Sequence, residues 1–268
     1  MYPLTYRRAQ SLAEARELLA HTQDAKLLAG GMTLIPTLKQ RLAAPSMVVD
    51  IGQLAELRGI AMKGERLVIG AGTRHADVAG SDLVKQKIPA LAQLASQVGD
   101  PQVRNQGTLG GSVANNDPAA DYPSAVLGLG ASIQTLQREI AADDYFRGVF
   151  ETALDPGEII TAVSFPVPSR AAYAKFAQPA SGYAMTGVFV AELDKSVRVA
   201  VTGAGPGVFR WKEAEQALGR NFSVASLQPL AVSPDGLNND LHASAEYRAN
   251  LVAVMARRAV ASLTGENA

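Results

Sequence analysis

Two short stretches carry more glycine and hydroxyl than a packed element can use: "AGGMTL" at 29–34 and "GTLGGS" at 107–112. In the first, the apolar run "KLLAG" (26–30) stops at paired glycines, and Thr33 leads into "LIPTLKQRL" (34–42) as a helix cap. Backbone N–H groups at such a strand-to-helix turn point outward with partial positive charge, which suits a phosphate; glycine matters because a Cβ would hold the anion away. In the second, Thr108 and Ser112 place hydroxyls around Gly110 and Gly111, and Asn115, Asn116 and Asp121 follow within reach of a ribose or an amide. Each stretch also has a purely structural reading, a tight turn for the first and an irregular loop of turn formers for the second. The passage 102–121 reads as one long irregular loop, and such loops are uncommon in compact domains unless they carry function. Together the two turns point to one ligand with two phosphates, such as an extended dinucleotide. A Cβ at Gly110 or Gly111 is then expected to abolish binding with little loss of fold.

Other chemistries find little support. A GxGxxG fingerprint should follow the first strand of a βαβ unit; "GAGPGV" (203–208) and "GLGAS" (128–132) read as turns beside strands. There are no cysteines, so disulfides, a thiol nucleophile and cysteine-held iron–sulfur clusters within the chain are excluded. The three histidines, His21, His75 and His242, have no metal-binding spacing, and no metal is expected. Arg104, Asp117 and Asp121 read as a solvated loop, and no catalytic acid–base residue is assigned. Twenty-five basic residues balance 25 acidic ones, so no broad attraction to nucleic acid is indicated. No signal-like or membrane-length apolar run is present in the sequence, and a cytoplasmic protein without a membrane span is the expectation.

The surrounding elements read as α+β. Helices are predicted at 11–20, where Ser11 and Glu14 have capping-box spacing, at 76–86 as one segment, and at 89–99. Strands are predicted at 47–51, 66–72, 131–136 and 158–168, with Pro166 and Pro168 marking a domain boundary. Beyond it, 173–178, 183–193 and 197–205 read as three strands at hairpin spacing, followed by helices at 212–218 and 244–264. In the last helix Tyr247, Leu251, Val254, Met255 and Ala259 are expected to share the buried face.

"LLAGGMTLIPTLKQRLAAPSMVVDI" and "GDPQVRNQGTLGGSVANNDPAADYP" resemble the two FAD-binding stretches of the medium, flavin-carrying subunit of molybdenum hydroxylases, the group of aerobic carbon monoxide dehydrogenase and xanthine dehydrogenase. "KFAQPASGYAMTGVFVA" and "ASAEYRANLVAVMARRAV" resemble its C-terminal domain, so the likeness runs through nearly the whole chain. The resemblance implies a two-lobed PCMH-type FAD-binding domain over 1–168, with lobes of about 1–54 and 55–168, and a small C-terminal α+β domain over 169–268 with a three-stranded antiparallel sheet plus helices. It implies an oxidoreductase subunit that takes electrons from [2Fe–2S] clusters of a partner and passes them to an external acceptor. Molybdopterin and the clusters would reside in a large and a small partner subunit, in a hetero-hexamer built as a dimer of trimers. By the same resemblance Ala29, Gly30, Gly31, Met32, Thr33 and Leu34 wrap the FAD diphosphate from one lobe, and Thr108, Leu109, Gly110, Gly111 and Ser112 wrap it from the other. Asp121 matches the family's acidic cofactor contact, and Tyr183 and Ala184 fall where the C-terminal domain approaches the flavin. The family often has Asn at Ser112 and Ser near Met32 and Thr33, and many relatives have Gly-Asp where this chain has Gly182-Tyr183. The competing readings are a single-chain FAD oxidoreductase of the same fold and a non-catalytic nucleotide-binding assembly module.

Overall fold

The computed structural model describes every residue except Lys195. It opens with a small parallel sheet of β1 (Thr5–Arg8), β2 (Lys26–Leu28) and β3 (Met47–Asp50), ordered β1-β3-β2, with crossover helices α1 (Leu12–His21) and α2 (Leu34–Lys39). The α1 cap forms as its spacing predicts. Ser11 Oγ accepts from the Glu14 N–H at 3.1 Å, and the Glu14 carboxylate accepts from the Gln10 N–H at 2.7 Å. α2 stops at Lys39, short of the expected span, and Arg41 leaves it with φ +60°. Thr33 is not a side-chain cap: its backbone is already helical and its hydroxyl accepts nothing from the first turn.

A second lobe follows. β4 (Ile60–Lys63) and β5 (Arg66–Gly70) lead into six short helices: α3 (His75–Gly80), α4 (Asp82–Lys87), α5 (Pro89–Ser96), α6 (Pro101–Gln106), α7 (Leu109–Asn115) and α8 (Tyr122–Gly128). β6 (Ser132–Thr135), β7 (Glu139–Ala141), α9 (Ala142–Tyr145), the hairpin of β8 (Phe146–Gly148) and β9 (Glu151–Thr152), and β10 (Ile160–Pro166) complete it. The main sheet is antiparallel in the order β4-β5-β10-β6-β7. The predicted helix over 76–86 is two helices, because Ser81 turns extended and caps the second, its Oγ accepting from the Val84 N–H at 3.3 Å. The passage 102–121 is not a long irregular loop. Asp100 Oδ1 accepts from the Val103 N–H at 2.8 Å ahead of Pro101, and Thr108 Oγ1 accepts from the Gly111 N–H at 3.1 Å, so two capped helices occupy most of it.

The C-terminal sheet is antiparallel: β11 (Arg170–Ala177), β12 (Ala184–Leu193), β13 (Ser196–Thr202) and a two-residue fourth strand, β14 (Phe209–Arg210), which extends the three predicted. α10 (Lys212–Arg220) and α11 (Ala245–Thr264) pack on one face. Of the face predicted for α11, Leu251, Met255 and Ala259 are buried and Val254 is half-buried; Arg248, Val252, Ala256 and Val260 widen the buried side, while Tyr247 is exposed. Both faces of β12 are buried. Val188 and Val190 enter the core under α10 and α11; Phe189 and Ala191 point the other way, into the core of the first two lobes, with Tyr173 and Ala200. The alternation that normally separates core from solvent here separates two cores.

In the second lobe Glu158 is buried and takes both prongs of Arg138, Nε–Oε1 at 3.0 Å and Nη2–Oε2 at 2.8 Å. Thr135 Oγ1 and the Asp155 N–H also donate to it, at 2.7 and 2.8 Å. The Arg138 hydrogen bonds lead in holding its carboxyl at about 2, below the ordinary 4.5. A depressed carboxyl contributes stability that is full above its unfolded value and lost as pH falls toward the folded one. Thermal unfolding measured from about pH 5 down to about pH 2 is expected to fall more steeply in the wild type than in Glu158→Gln; parallel curves would remove this carboxylate from acid sensitivity.

Candidate functional site: two glycine turns and the seam beside them

Residues 29–34 join the end of β2 to α2, and they rest on the other lobe. A Cβ added to Gly30 would overlap the Gln106 carbonyl oxygen and lie 2.8 Å from Gly107 Cα, so the two glycine turns meet backbone to backbone. Gly31 has φ +73°, a conformation glycine adopts freely, and this directs the following amides. Among the described residues, none of the N–H groups of Gly30, Gly31, Met32, Thr33 and Leu34 finds an acceptor in the chain. Met32 and Thr33 are exposed; Ala29, Gly30, Gly31 and Leu34 are half-buried. Unpaired consecutive amides at a partly buried turn are an anion-binding arrangement.

The second turn is built differently. Leu109 N–H donates to the Thr73 carbonyl at 3.0 Å and Gly110 N–H to the Ala71 carbonyl at 2.8 Å. Ser112 N–H donates to the Thr108 carbonyl at 3.0 Å, within α7. Thr108, Leu109 and Gly110 are buried, Ser112 is half-buried and Gly111 is exposed. A Cβ at Gly110 would sit 2.5 Å from Ala71 Cβ and 2.8 Å from its Cα, so this glycine serves contact between α7 and β5. The expectation that substitution there spares the fold is corrected: Gly110→Val strikes packed backbone. At Gly111 only Thr108 Oγ1, at 2.8 Å, lies in the way.

Beneath the junction lies His75, which sequence reading set aside. Its Nε2 is 2.6 Å from the Cβ position of Gly107, its N–H donates to the Gly107 carbonyl at 3.0 Å, and its ring stacks at 5.3 Å on Tyr122. Burial, with the nearby Arg104 charge, lowers its pKa to about 4, so it is neutral at physiological pH. The signal available was its place five residues after β5, at the start of a helix.

The remaining candidates lie along the seam with the C-terminal sheet. Asp121 is 4 % exposed; Lys175 Nζ is 2.9 Å from its Oδ1, and the Tyr173 hydroxyl donates to the same oxygen at 2.5 Å. Tyr183 is partly exposed, and Ala184 is buried with its N–H on the Ala119 carbonyl at 3.2 Å. Gly203 N–H and Thr202 Oγ1 bond Pro118 and Ala120 carbonyls, which fixes residues 118–120 to the sheet. No hydrogen bond or ion pair among the described residues joins Asp121 or Tyr183 to 29–34. Asn116 is not free for a ligand: it is buried with φ +43°, and its Nδ2 donates to the carbonyls of Gly148 and Glu151 at 2.9 and 2.7 Å, pinning the β8–β9 hairpin. Arg104 is turned onto the Val98 and Gly99 carbonyls at 3.1 and 2.9 Å. Cavities of about 380 and 240 Å³ open around Pro206 and Phe209; Asn116 lines the smaller, and no residue of 29–34 or 107–112 lines either. Among the described residues no cluster of metal-ligating side chains occurs, and no helix is long and apolar enough to cross a membrane.

Against this geometry, a family model described as "FAD binding domain in molybdopterin dehydrogenase" matches residues 2–168. The chain is 34 % identical to the carbon monoxide dehydrogenase medium chain of Afipia carboxidovorans, over 95 % of this chain and 94 % of the relative. It is also 34 % identical to the glyceraldehyde dehydrogenase medium chain of Sulfolobus acidocaldarius, over 97 % and 98 %. Among solved structures, carbon monoxide dehydrogenase from Hydrogenophaga pseudoflava is similar with a TM-score of 0.88 at 33 % identity, covering 97 % of each chain.

Proposed function

Because the chain belongs to the family of FAD-binding domains of molybdopterin dehydrogenases, as an FAD-carrying oxidoreductase subunit, we propose that it is the electron-transfer member of a molybdenum hydroxylase complex. Bound FAD supplies a store for two electrons, received from [2Fe–2S] clusters of a small partner subunit and passed to an external acceptor. A large molybdopterin subunit completes the assembly, a hetero-hexamer made as a dimer of trimers, in the cytoplasm; relatives named as medium chains over their full length support a multi-subunit setting.

The observation that carries the reading is the run of unpaired amides from Gly30 to Leu34, held against the second glycine turn by the close approach of Gly30 to Gln106 and Gly107. The diphosphate is assigned to those amides, with Ala29 setting the turn. The Thr108 and Ser112 hydroxyls are assigned to it from the other lobe, beside exposed Gly111, while the Leu109 and Gly110 N–H groups are already taken by the Thr73 and Ala71 carbonyls. Asp121, Tyr183 and Ala184 border the site from the C-terminal side. The domain limits that go with this assignment are 1–168, with lobes of about 1–54 and 55–168, and 169–268.

An absorption spectrum of the purified chain, before and after adding FAD and desalting, tests the assignment. Flavin bands near equimolar with protein are the expected result. FAD still absent from the chain copurified with its partner subunits would overturn it.

A further inference from the structure

At the seam between cofactor lobe and C-terminal sheet, three polar side chains meet with almost no access to water. Lys175 and Asp121 are 3 % and 4 % exposed in their side chains, and Tyr173 is 4 % exposed. Lys175 Nζ bridges two parts of the cofactor lobe: it reaches Asp121 at 2.9 Å and donates to the Gln97 carbonyl, where α5 ends, at 2.9 Å. Asp121 stands at the start of α8, immediately after the stretch 118–120 that the C-terminal sheet binds by backbone. We propose that Lys175 is a positioning residue for the cofactor site: its ammonium keeps Asp121 ionised and fixed, and so clamps the stretch after the second glycine turn against the C-terminal sheet.

The proposal rests on the FAD reading only for its functional consequence; the clamp itself is a property of the chain. The groups facing Asp121 are few. Lys175 and Tyr173 come from β11, Tyr122 follows it in α8, and Tyr183 with Asp117 lies across the seam. Lys175 is the one cation among them. Burial pushes the Asp121 carboxyl up, above its ordinary value even with Lys175 beside it, and the Lys175 charge is the largest influence opposing that rise. Without Lys175, a buried carboxylate has two ways out, protonation or exposure of the seam. In the folded chain its pKa then rises further above the unfolded value. Stability falls as pH rises from the unfolded value toward the folded one, and stays low above it.

The test uses the full chain as wild type, Lys175→Met, Asp121→Asn and the Lys175→Met/Asp121→Asn double variant. Thermal midpoint and retained FAD are read from about pH 5 to about pH 8. Subtracting the double variant's curve removes every other titrating group. The expected result is that the Lys175→Met midpoint, relative to the double variant, drops by at least about 4 °C across that range. Retained flavin should fall with it, while the wild type, relative to the double variant, drops less. Lys175→Met insoluble with a soluble double variant gives the same answer, since removing both charges rescues. A pH-independent difference between the two, or a double variant as damaged as Lys175→Met at every pH, overturns the proposal and leaves Lys175 a packing residue. Wild type without FAD would sink the flavin assignment instead, and the midpoint curves would still decide the clamp.

Discussion

Gly30→Val is expected to abolish FAD retention, with a loss of affinity of more than about a hundredfold, or about 2.8 kcal/mol. The reason is geometric. The valine Cβ would overlap the Gln106 carbonyl, and the obstacle is backbone on the opposite lobe, so the turns must separate. Separation takes the amides of 30–34 away from the second turn at Gln106 and Gly107 without removing any of them. Two comparisons isolate the effect. Gly111→Ala meets only the Thr108 hydroxyl and should keep the fold while weakening FAD binding, because its Cβ stands on the exposed face of the second turn. Gly110→Val should fail earlier, as poor yield of folded protein, since it collides with Ala71. Equilibrium dialysis of FAD beside circular dichroism separates the three. Full flavin binding by folded Gly30→Val would show that contact between the turns is irrelevant to the cofactor.

Phe189→Ala is expected to cost about 3–5 kcal/mol and to lower the thermal midpoint by about 6–20 °C. Phe189 is fully buried, its ring stands beside Tyr173, and its Cδ1 lies 3.0 Å from the Cβ position of Gly128 in α8. Although it belongs to the C-terminal sheet, it fills the core of the cofactor lobe. The loss should therefore appear in one cooperative transition of the whole chain. A transition confined to the C-terminal sheet, with the cofactor lobe's unfolding unchanged, would contradict the shared core. Flavin bound per folded molecule should stay at the wild-type level, since no group beside the glycine turns is altered.

Much of this architecture is written locally. The capping pair Ser11 and Glu14, the apolar run in 183–193 and the amphipathic run in 244–264 each determine an element through short-range chemistry. The glycine turns were legible because paired glycines after an apolar run have few other uses. The failures share a cause. Reading 102–121 as a loop gave weight to glycine and asparagine and overlooked the caps at Asp100 and Thr108, which are enough to start helices of six and seven residues once packed. The tasks of Gly110, Asn116 and Asp121 depend on partners 30 or more positions away: Ala71, the β8–β9 hairpin and Lys175. No local pattern encodes such contacts. Tyr247 was placed on the buried face of α11 in error for a similar reason, because the edge of that face is set by the sheet it covers and by Arg248, whose guanidinium bonds Met185, Gly203 and Asp240.

The sharing of β12 between two cores also sets an order of events during synthesis. The residues that form both glycine turns leave the ribosome well before β12 and β13. Asp121 gains its cation when β11 arrives, but until β12 follows α8 lacks the ring that packs on Gly128. Full packing of the lobes that carry the glycine turns is therefore a late event of synthesis, completed only when β12 has been made.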